Sequence, residues 1–169
     1  LIYQSSTLLG EFDPETLKTS TFKIPLPSNT QWSTPQLWYL QEDSKNRLWL
    51  SNELGDLGYL KDGSANTVAL KQQYPKLQYI YQVKEDESGK TWLATNAGLF
   101  QFDLIQMQVI ERYWAGGEGQ YHFPFDNIYH IHEDEAGIFW LATGGTGLVK
   151  GRPGQTWQQF TIVDGLSDN

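Results

Sequence analysis

Three histidines are the side chains of this sequence best suited to metal binding or proton transfer. His130 and His132 lie two residues apart, so on one β-strand both imidazoles point to the same face, a spacing that some metal sites use. His122 or Glu133 would supply further ligands, although Glu133 falls on the opposite face of the strand. The corresponding positions in the repeats described below hold other polar residues. We therefore predict packed or hydrogen-bonded histidines and no metal site.

Other catalytic and cofactor chemistry has little support. The chain contains no cysteine, which excludes a thiol nucleophile, a disulfide and a cysteine-based metal centre. No serine stands in a Gly-x-Ser-x-Gly elbow. The glycine-rich segment 144–147 predicts a β-turn, because no helix follows it to hold a phosphate. The acidic turn 86–89 lacks the alternating aspartates of a calcium loop. We predict that the protein uses no cofactor.

The charge balance excludes nucleic acid as the main partner. Twelve Lys and Arg stand against 20 Asp and Glu in 169 residues, giving a formal charge of −8, whereas nucleic-acid binding needs clustered positive charge. No apolar run approaches the roughly 18 residues of a membrane span, so any membrane contact is expected through segments outside this chain. The sequence opens without an initiator Met, and we expect it to be part of a longer protein.

An acidic pair, a polar turn and a tryptophan occur three times, and the aspartate precedes the tryptophan by six residues each time. The pairs are Asp43 and Trp49, Asp86 and Trp92, and Asp134 and Trp140. A degenerate fourth copy opens the chain, with Ile2 at the tryptophan position. A shared leucine follows in every copy, at Leu9, Leu57, Leu99 and Leu148. Agreement of motif, spacing and a period of 40-odd residues indicates a repeat architecture.

Each repeat has the pattern of four short strands. Bulky residues alternate with polar ones in segments such as 80–83 and 128–131, and Gly, Asn, Asp and Pro punctuate them. Four strands in a repeat of this length predict a β-propeller blade. We therefore predict an all-β fold, a β-propeller fragment of about four blades of four-stranded antiparallel sheet, with the first blade lacking its inner strand. The predicted blades are 1–34 (incomplete), 35–76, 77–126 and 127–169.

Blade counting predicts exposed blade faces. A closed propeller has four to eight blades, and we expect this chain to form about half of a larger ring. Two open blade faces would expose apolar area, which usually marks a partner surface. We therefore predict self-association through the open blades.

The repeated residues resemble the two-component regulator propeller repeat. The pattern is Glu-Asp-x-x-Gly-x-x-Trp-Leu-Ala-Thr followed by Gly-Leu, and the copy over 131–148 matches it best. The first complete copy departs from it, with Asn46 at the glycine position and Ser51-Asn52 in place of Ala-Thr. The resemblance implies a non-catalytic, periplasmic sensor region of a hybrid histidine kinase. Such a region would bind a ligand, an oligosaccharide being one candidate, and pass the signal across a membrane.

A structural role accounts for the repeated residues. An aspartate before a tight turn can accept backbone N–H bonds, glycine supplies the positive φ that such turns need, and the tryptophans are expected to pack between blades. The set is Asp43, Trp49, Asp86, Gly89, Trp92, Asp134, Gly137 and Trp140. A sialidase Asp-box is excluded, because there the aspartate precedes the tryptophan by five residues and an arginine cluster is required. This chain has three scattered arginines.

A ligand is expected at one mouth of the propeller channel, where connectors join the inner strands. Aromatic rings beside polar groups suit sugars, which stack on the rings and hydrogen-bond to the polar groups. The candidate ligand-binding residues are Trp32, Tyr79, Trp114, Tyr121, His122 and His130. The alternative is that these rings only cover the blade tops. Two other functions stay open: a protein interaction scaffold, and a propeller lyase related to streptogramin lyase, which would need a His/Glu constellation at the channel mouth.

Overall fold

Fifteen short strands make up nearly all of the regular structure in the computed structural model of the protein, which describes residues 2–4, 9–22, 37–62 and 64–168. The strands are β1 (Ile2–Gln4), β2 (Leu9–Asp13), β3 (Lys18–Phe22), β4 (Leu37–Glu42), β5 (Leu48–Asn52), β6 (Leu57–Lys61), β7 (Ser64–Val68), β8 (Ile80–Glu85), β9 (Thr91–Thr95), β10 (Gly98–Asp103), β11 (Gln108–Tyr113), β12 (Ile128–Glu133), β13 (Phe139–Thr143), β14 (Leu148–Gly151) and β15 (Gln158–Phe160). One helical turn, α1 (Leu70–Gln73), and two 3-10 turns, Gly119–Tyr121 and Ile162–Asp164, complete the elements of these residues.

The strands form four antiparallel meanders. Blade 1 is β1–β3, blade 2 is β4–β7, blade 3 is β8–β11 and blade 4 is β12–β15. Strand β8 contacts both β4 and β12, so the first strands of blades 2 to 4 lie side by side as the inner strands do in a propeller. The predicted all-β propeller is confirmed, and the first sheet has three strands in the part of the chain that the structure describes.

Two apolar residues beside the outermost strands pack into the core. Strand β7 ends at Val68, and Leu70 begins α1. The helical turn places Leu70, which is fully buried, in the core between blades 2 and 3. Trp157 precedes β15 instead of belonging to it, and it packs against the core of blades 3 and 4.

Two apolar layers hold the blades together. In the first, Trp49 of blade 2 packs with Ile80, Leu93 and Phe100 of blade 3. In the second, Trp92 of blade 3 packs with residues of blade 4, and its ring meets Phe139 edge-on at 5.3 Å. Both tryptophans are 1% exposed. Trp49 and Trp92 thus each lie between two blades, whereas Trp140 lies on the last blade and is partly exposed.

Each inner strand of blades 2 to 4 carries a bulge near its start. The pairing with the next strand skips one residue between Leu37 and Tyr39, between Ile80 and Gln82, and between Ile128 and His130. The skipped residue is aromatic in all three blades: Trp38, Tyr81 and Tyr129. A bulge turns the side chain of the skipped residue away from the regular alternation of the strand, so Tyr81 and Tyr129 occupy a position of their own in blades 3 and 4.

Within the described residues, no helix is long and apolar enough to cross a membrane.

Candidate functional site

The repeated aspartate binds its own turn and the repeated tryptophan. In blade 3, Oδ1 of Asp86 accepts the backbone N–H of Lys90 at 2.9 Å, and Oδ2 accepts the indole Nε1–H of Trp92 at 2.7 Å. The same indole bond joins Asp43 to Trp49 at 2.8 Å and Asp134 to Trp140 at 3.0 Å. The predicted structural role is therefore extended, because each aspartate fixes both the turn and the tryptophan that fills the core.

These hydrogen bonds lower the pKa values of the three aspartates. Burial raises the pKa of Asp86, but the bonds from Trp92 and Ser88 and from the turn backbone outweigh burial and hold its pKa below the ordinary value. Asp43 has a lowered pKa for the same reasons, with burial opposed by Trp49 and Arg47. The bond from Trp140 is the largest cause of the lowered pKa of Asp134. All three carboxylates are thus stabilised in the charged form.

The turn glycines adopt the predicted backbone conformation. Gly89 has φ +83° and Gly137 has φ +71°, and Asn46 at the same position has φ +56°. Asparagine is among the few other residues that tolerate this region. The departure at Asn46 therefore preserves the turn.

The other departure, Asn52 in place of threonine, also preserves a turn. In blades 3 and 4 the threonine hydroxyl donates to the carbonyl across the hairpin, from Thr95 to Gly98 and from Thr143 to Gly147, each at 2.7 Å. In blade 2, the Asn52 side chain accepts the backbone N–H groups of Leu54 and Asp56, both at 3.0 Å. Different side chains thus close the same hairpin.

In blades 3 and 4, the glutamate before the aspartate joins its blade to the preceding one. Glu85 of blade 3 binds Arg47 of blade 2, with 2.8 Å between Oε2 and Nη2. Oε2 of Glu133 in blade 4 accepts the backbone N–H of Glu87 in blade 3 at 3.0 Å. In the acidic pair of the motif, the glutamate therefore binds the previous blade, and the aspartate binds the turn that follows it.

Three tyrosines form an aromatic surface at the start of the inner strands. The rings of Tyr79 and Tyr81 stack at 6.1 Å, and Tyr81 meets Tyr129 edge-on at 4.8 Å. Tyr129 is 47% exposed, while the other two rings are half-buried. Asn127 donates to the Tyr129 hydroxyl at 3.1 Å. We call these three rings the tyrosine surface; it offers apolar faces, phenol hydroxyls and an amide side by side.

The hydroxyls of the tyrosine surface act on one another. Burial raises the pKa of Tyr81, and the neighbouring hydroxyls of Tyr129 and Tyr79 raise it further. The Tyr81 hydroxyl therefore stays neutral at physiological pH and can donate and accept hydrogen bonds.

Blade 4 carries the repeat in its fullest form, with Asp134, Gly137 and Trp140 in the arrangement described above. Residues 122–145 match the two component regulator propeller family model. The match confirms the resemblance to regulator propeller repeats predicted from the sequence. No curated protein sequence matches the chain at a significant level.

Solved structures of other propeller proteins superpose on most of the chain. The extracellular domain of BT3049 from B. thetaiotaomicron, assigned as a hybrid two component system, gives a TM-score of 0.70 at 21% identity; the alignment covers 99% of this chain and 23% of that one. The corresponding domain of BT4673 gives 0.64 at 19% identity, covering 99% and 24%. A catalytically inactive virginiamycin B lyase from Staphylococcus aureus gives 0.64 at 11% identity, covering 92% and 48%.

These comparisons establish the fold. The chain spans about a quarter of the two-component domains and about half of the lyase. It is a propeller segment that is similar in fold to the extracellular domains of two component systems.

Of the candidate ligand residues, only Tyr79 lies on the tyrosine surface. Trp32 lies outside the described residues, as does the side chain of Tyr121, whose backbone ends a 3-10 turn. Trp114 stacks on the guanidinium of Arg112, 4.6 Å from the ring centroid. Its ring is therefore engaged in packing.

The two candidate histidines lie on different elements. His122 is exposed on the connector before blade 4. His130 is exposed on β12, opposite Ala142 of β13. Its counterpart in blade 3, Gln82, accepts the backbone N–H of Ile131 in the next blade at 2.6 Å. No group of three His, Cys, Asp or Glu residues suited to a metal occurs among the residues described.

Sequence reasoning missed Tyr81 and Tyr129. Both were placed in inner strands with regular alternation, which gives no reason to single them out. A signal was present in the sequence, because the second residue of each of the inner strands β4, β8 and β12 is aromatic. These residues are Trp38, Tyr81 and Tyr129.

Proposed function

We propose that this chain is the ligand-sensing propeller portion of an extracytoplasmic signalling protein, and that it binds an oligosaccharide without cleaving it. The observation that carries the proposal is the tyrosine surface, with Tyr81 and Tyr129 in edge-on contact at 4.8 Å and Tyr129 half exposed. Aromatic faces flanked by neutral hydrogen-bonding groups suit the alternating apolar and polar surface of a sugar. The similarity to extracellular domains of two component systems supports a sensor in the periplasm.

A lyase has weaker support. The likeness to virginiamycin B lyase is one of fold, at 11% identity, and the chemistry of a site does not follow from a fold. We therefore propose binding alone, with the signal passed on as a change in packing.

We further propose that the chain self-associates through the open face of blade 4, with a second copy as the occupant. On this face Trp140 stacks with Phe160 at 6.0 Å, and Lys150 lies 4.6 Å from the Trp140 ring. The equivalent Trp49 and Trp92 are 1% exposed because the next blade covers them. Trp140 is more exposed than either.

Calorimetric titration with cellohexaose, xylohexaose and maltohexaose tests the sensor proposal. We expect saturable binding of at least one of them, weakened tenfold or more by Tyr129→Leu and preserved by Tyr129→Phe, which keeps the ring. Ile105→Ala is the matched control, because Ile105 is 94% exposed on a distant turn. A titration curve that Tyr129→Leu leaves unchanged, or shortening of the sugar during the titration, would contradict the proposal.

A further inference from the structure

A second concave site lies beside the outer hairpin of blade 4. A cleft of about 480 Å³ separates the connector 119–124 from the turn 154–157 between β14 and β15. This volume falls within the range of small-molecule sites. Its principal lining side chains are Gln120, His122, Pro124, Gln155, Thr156 and Trp157. The cleft exists because the connector into blade 4 folds back on the sheet, with Phe123 donating its backbone N–H to the Trp114 carbonyl at 3.1 Å.

Trp157 is held in place as one wall of this cleft. Its ring meets Phe123 edge-on at 5.2 Å and Tyr113 edge-on at 6.2 Å. Gly151 makes room for it, since a Cβ at that position would lie 2.6 Å from a ring carbon. A ring fixed from three sides loses little conformational freedom when a ligand binds against it.

Polar side chains surround the Trp157 wall. The hydroxyl of Thr156, the amides of Gln120 and Gln155 and the imidazole of His122 supply hydrogen-bonding groups around the cleft.

The charge of the cleft selects against ionic ligands. Among the residues that the structure describes, no Asp, Glu, Lys or Arg lines it. The two cations on the neighbouring hairpin are already engaged: Arg152 donates to the Ala136 carbonyl, and Lys150 lies over the Trp140 ring. A ligand with a carboxylate or phosphate would enter this cleft without a partner for its charge.

We infer that the cleft binds a short neutral oligosaccharide, with a sugar ring against Trp157 and its hydroxyls bonded to the polar side chains that line the cleft. The inference shares the ligand class of the proposed function but uses a different surface. Neither depends on the other, because the cleft and the tyrosine surface have no residue in common.

The test labels the full chain with 5-fluorotryptophan and follows the fluorine spectrum during titration with cellobiose, maltose and xylobiose. The Trp157 signal is assigned by its loss in Trp157→Phe. We expect at least one disaccharide to shift this signal saturably. Trp157→Leu removes the aromatic ring against which the sugar lies, so we expect it to weaken calorimetric affinity about tenfold. Thr156→Val provides a second variant that changes no ring packing, and it should also weaken binding.

Three controls separate the alternatives. Trp114→Phe alters a tryptophan outside the cleft lining and should leave the affinity unchanged. Digalacturonate should bind at least tenfold more weakly than the best neutral disaccharide, and equal or tighter binding would contradict the neutral ligand class. Tyr129→Leu should leave the Trp157 shift intact; if it abolishes the shift, the ligand sits on the tyrosine surface and the inference is wrong. A Trp157 signal that moves with none of the three disaccharides would also overturn it.

Discussion

The indole Nε1 of Trp92 donates a 2.7 Å hydrogen bond to Oδ2 of Asp86, six residues earlier in the chain. Because Oδ1 of the same carboxylate holds the turn between them, the separation of the two residues is set by the length of that turn. The constant six-residue spacing of the repeat is therefore a geometric requirement. One carboxylate orders a hairpin and orients the largest side chain of the core.

Asp86 and Trp92 are expected to act as a coupled pair. Asp86→Asn removes the charged acceptor, and Trp92→Phe removes the donor; each should lower the free energy of unfolding by about 1–3 kcal/mol, since a buried partner is left unsatisfied. In urea denaturation, the double variant should lose clearly less than the sum of the single losses. Glu135→Gln, at an exposed position in the equivalent turn of blade 4, is the control. Additive losses would show that the two residues stabilise the blade independently.

Stability is expected to fall in acid. The pKa values of Asp43, Asp86 and Asp134 are lowered in the folded state, so their contribution is present above the unfolded value of about 3.9 and is lost as the pH falls through the folded values. Urea midpoints measured from pH 6 down to pH 2 should decline most steeply below about pH 4. Asp86→Asn should flatten this decline, and a variant with the unchanged slope would contradict the assignment.

The contact between blades 2 and 3 depends on a charged pair. Glu85 binds Arg47, whose side chain is 10% exposed, and Lys45, whose side chain is 51% exposed. Glu85→Gln should cost about 1–2 kcal/mol because Arg47 loses a partner in a mostly buried position. Lys45→Gln should cost less than about 0.5 kcal/mol, as expected for an exposed ion pair. Chemical denaturation measures both, and equal losses would contradict the role given to Arg47.

The architecture could be predicted from the sequence because its signals are local and repeated. Alternation marks the strands, and the aspartate–tryptophan period counts the blades. The tyrosine surface could not be predicted, because Tyr81 and Tyr129 are 48 positions apart. Their rings meet where the inner strands β8 and β12, each with a bulge, lie side by side. Arg47 and Glu85 likewise meet only once two blades pack.

The ligand candidates show the same limit. Trp114 and His122 were grouped with Tyr79 because all belong to connectors, and a connector's sequence does not tell how it folds back. In the structure Trp114 packs on Arg112, while His122 lines a cleft with Trp157 of the next hairpin. Neither relationship follows from spacing along the chain.

Self-association is expected to depend on concentration. Light scattering across a dilution series should give a mass rising from that of the 19.3 kDa chain towards twice that value. Trp140→Glu places a charge on the open face of blade 4 and should shift the series towards the monomer. Ile110→Glu, at another exposed apolar position, is the matched control. A monomer at every concentration would contradict the role proposed for this face.

The most direct test of the proposed sensor function is whether the tyrosine surface binds a sugar that remains intact. The full chain labelled with 3-fluorotyrosine is titrated with cellohexaose, xylohexaose and maltohexaose, and the sugar is recovered for mass analysis. We predict saturable shifts of the Tyr81 and Tyr129 signals and a recovered sugar of unchanged length. The two signals are assigned by their loss in Tyr81→Phe and Tyr129→Phe. Unmoved Tyr81 and Tyr129 signals with all three sugars, or recovery of cleaved sugar, would contradict the proposed sensor function.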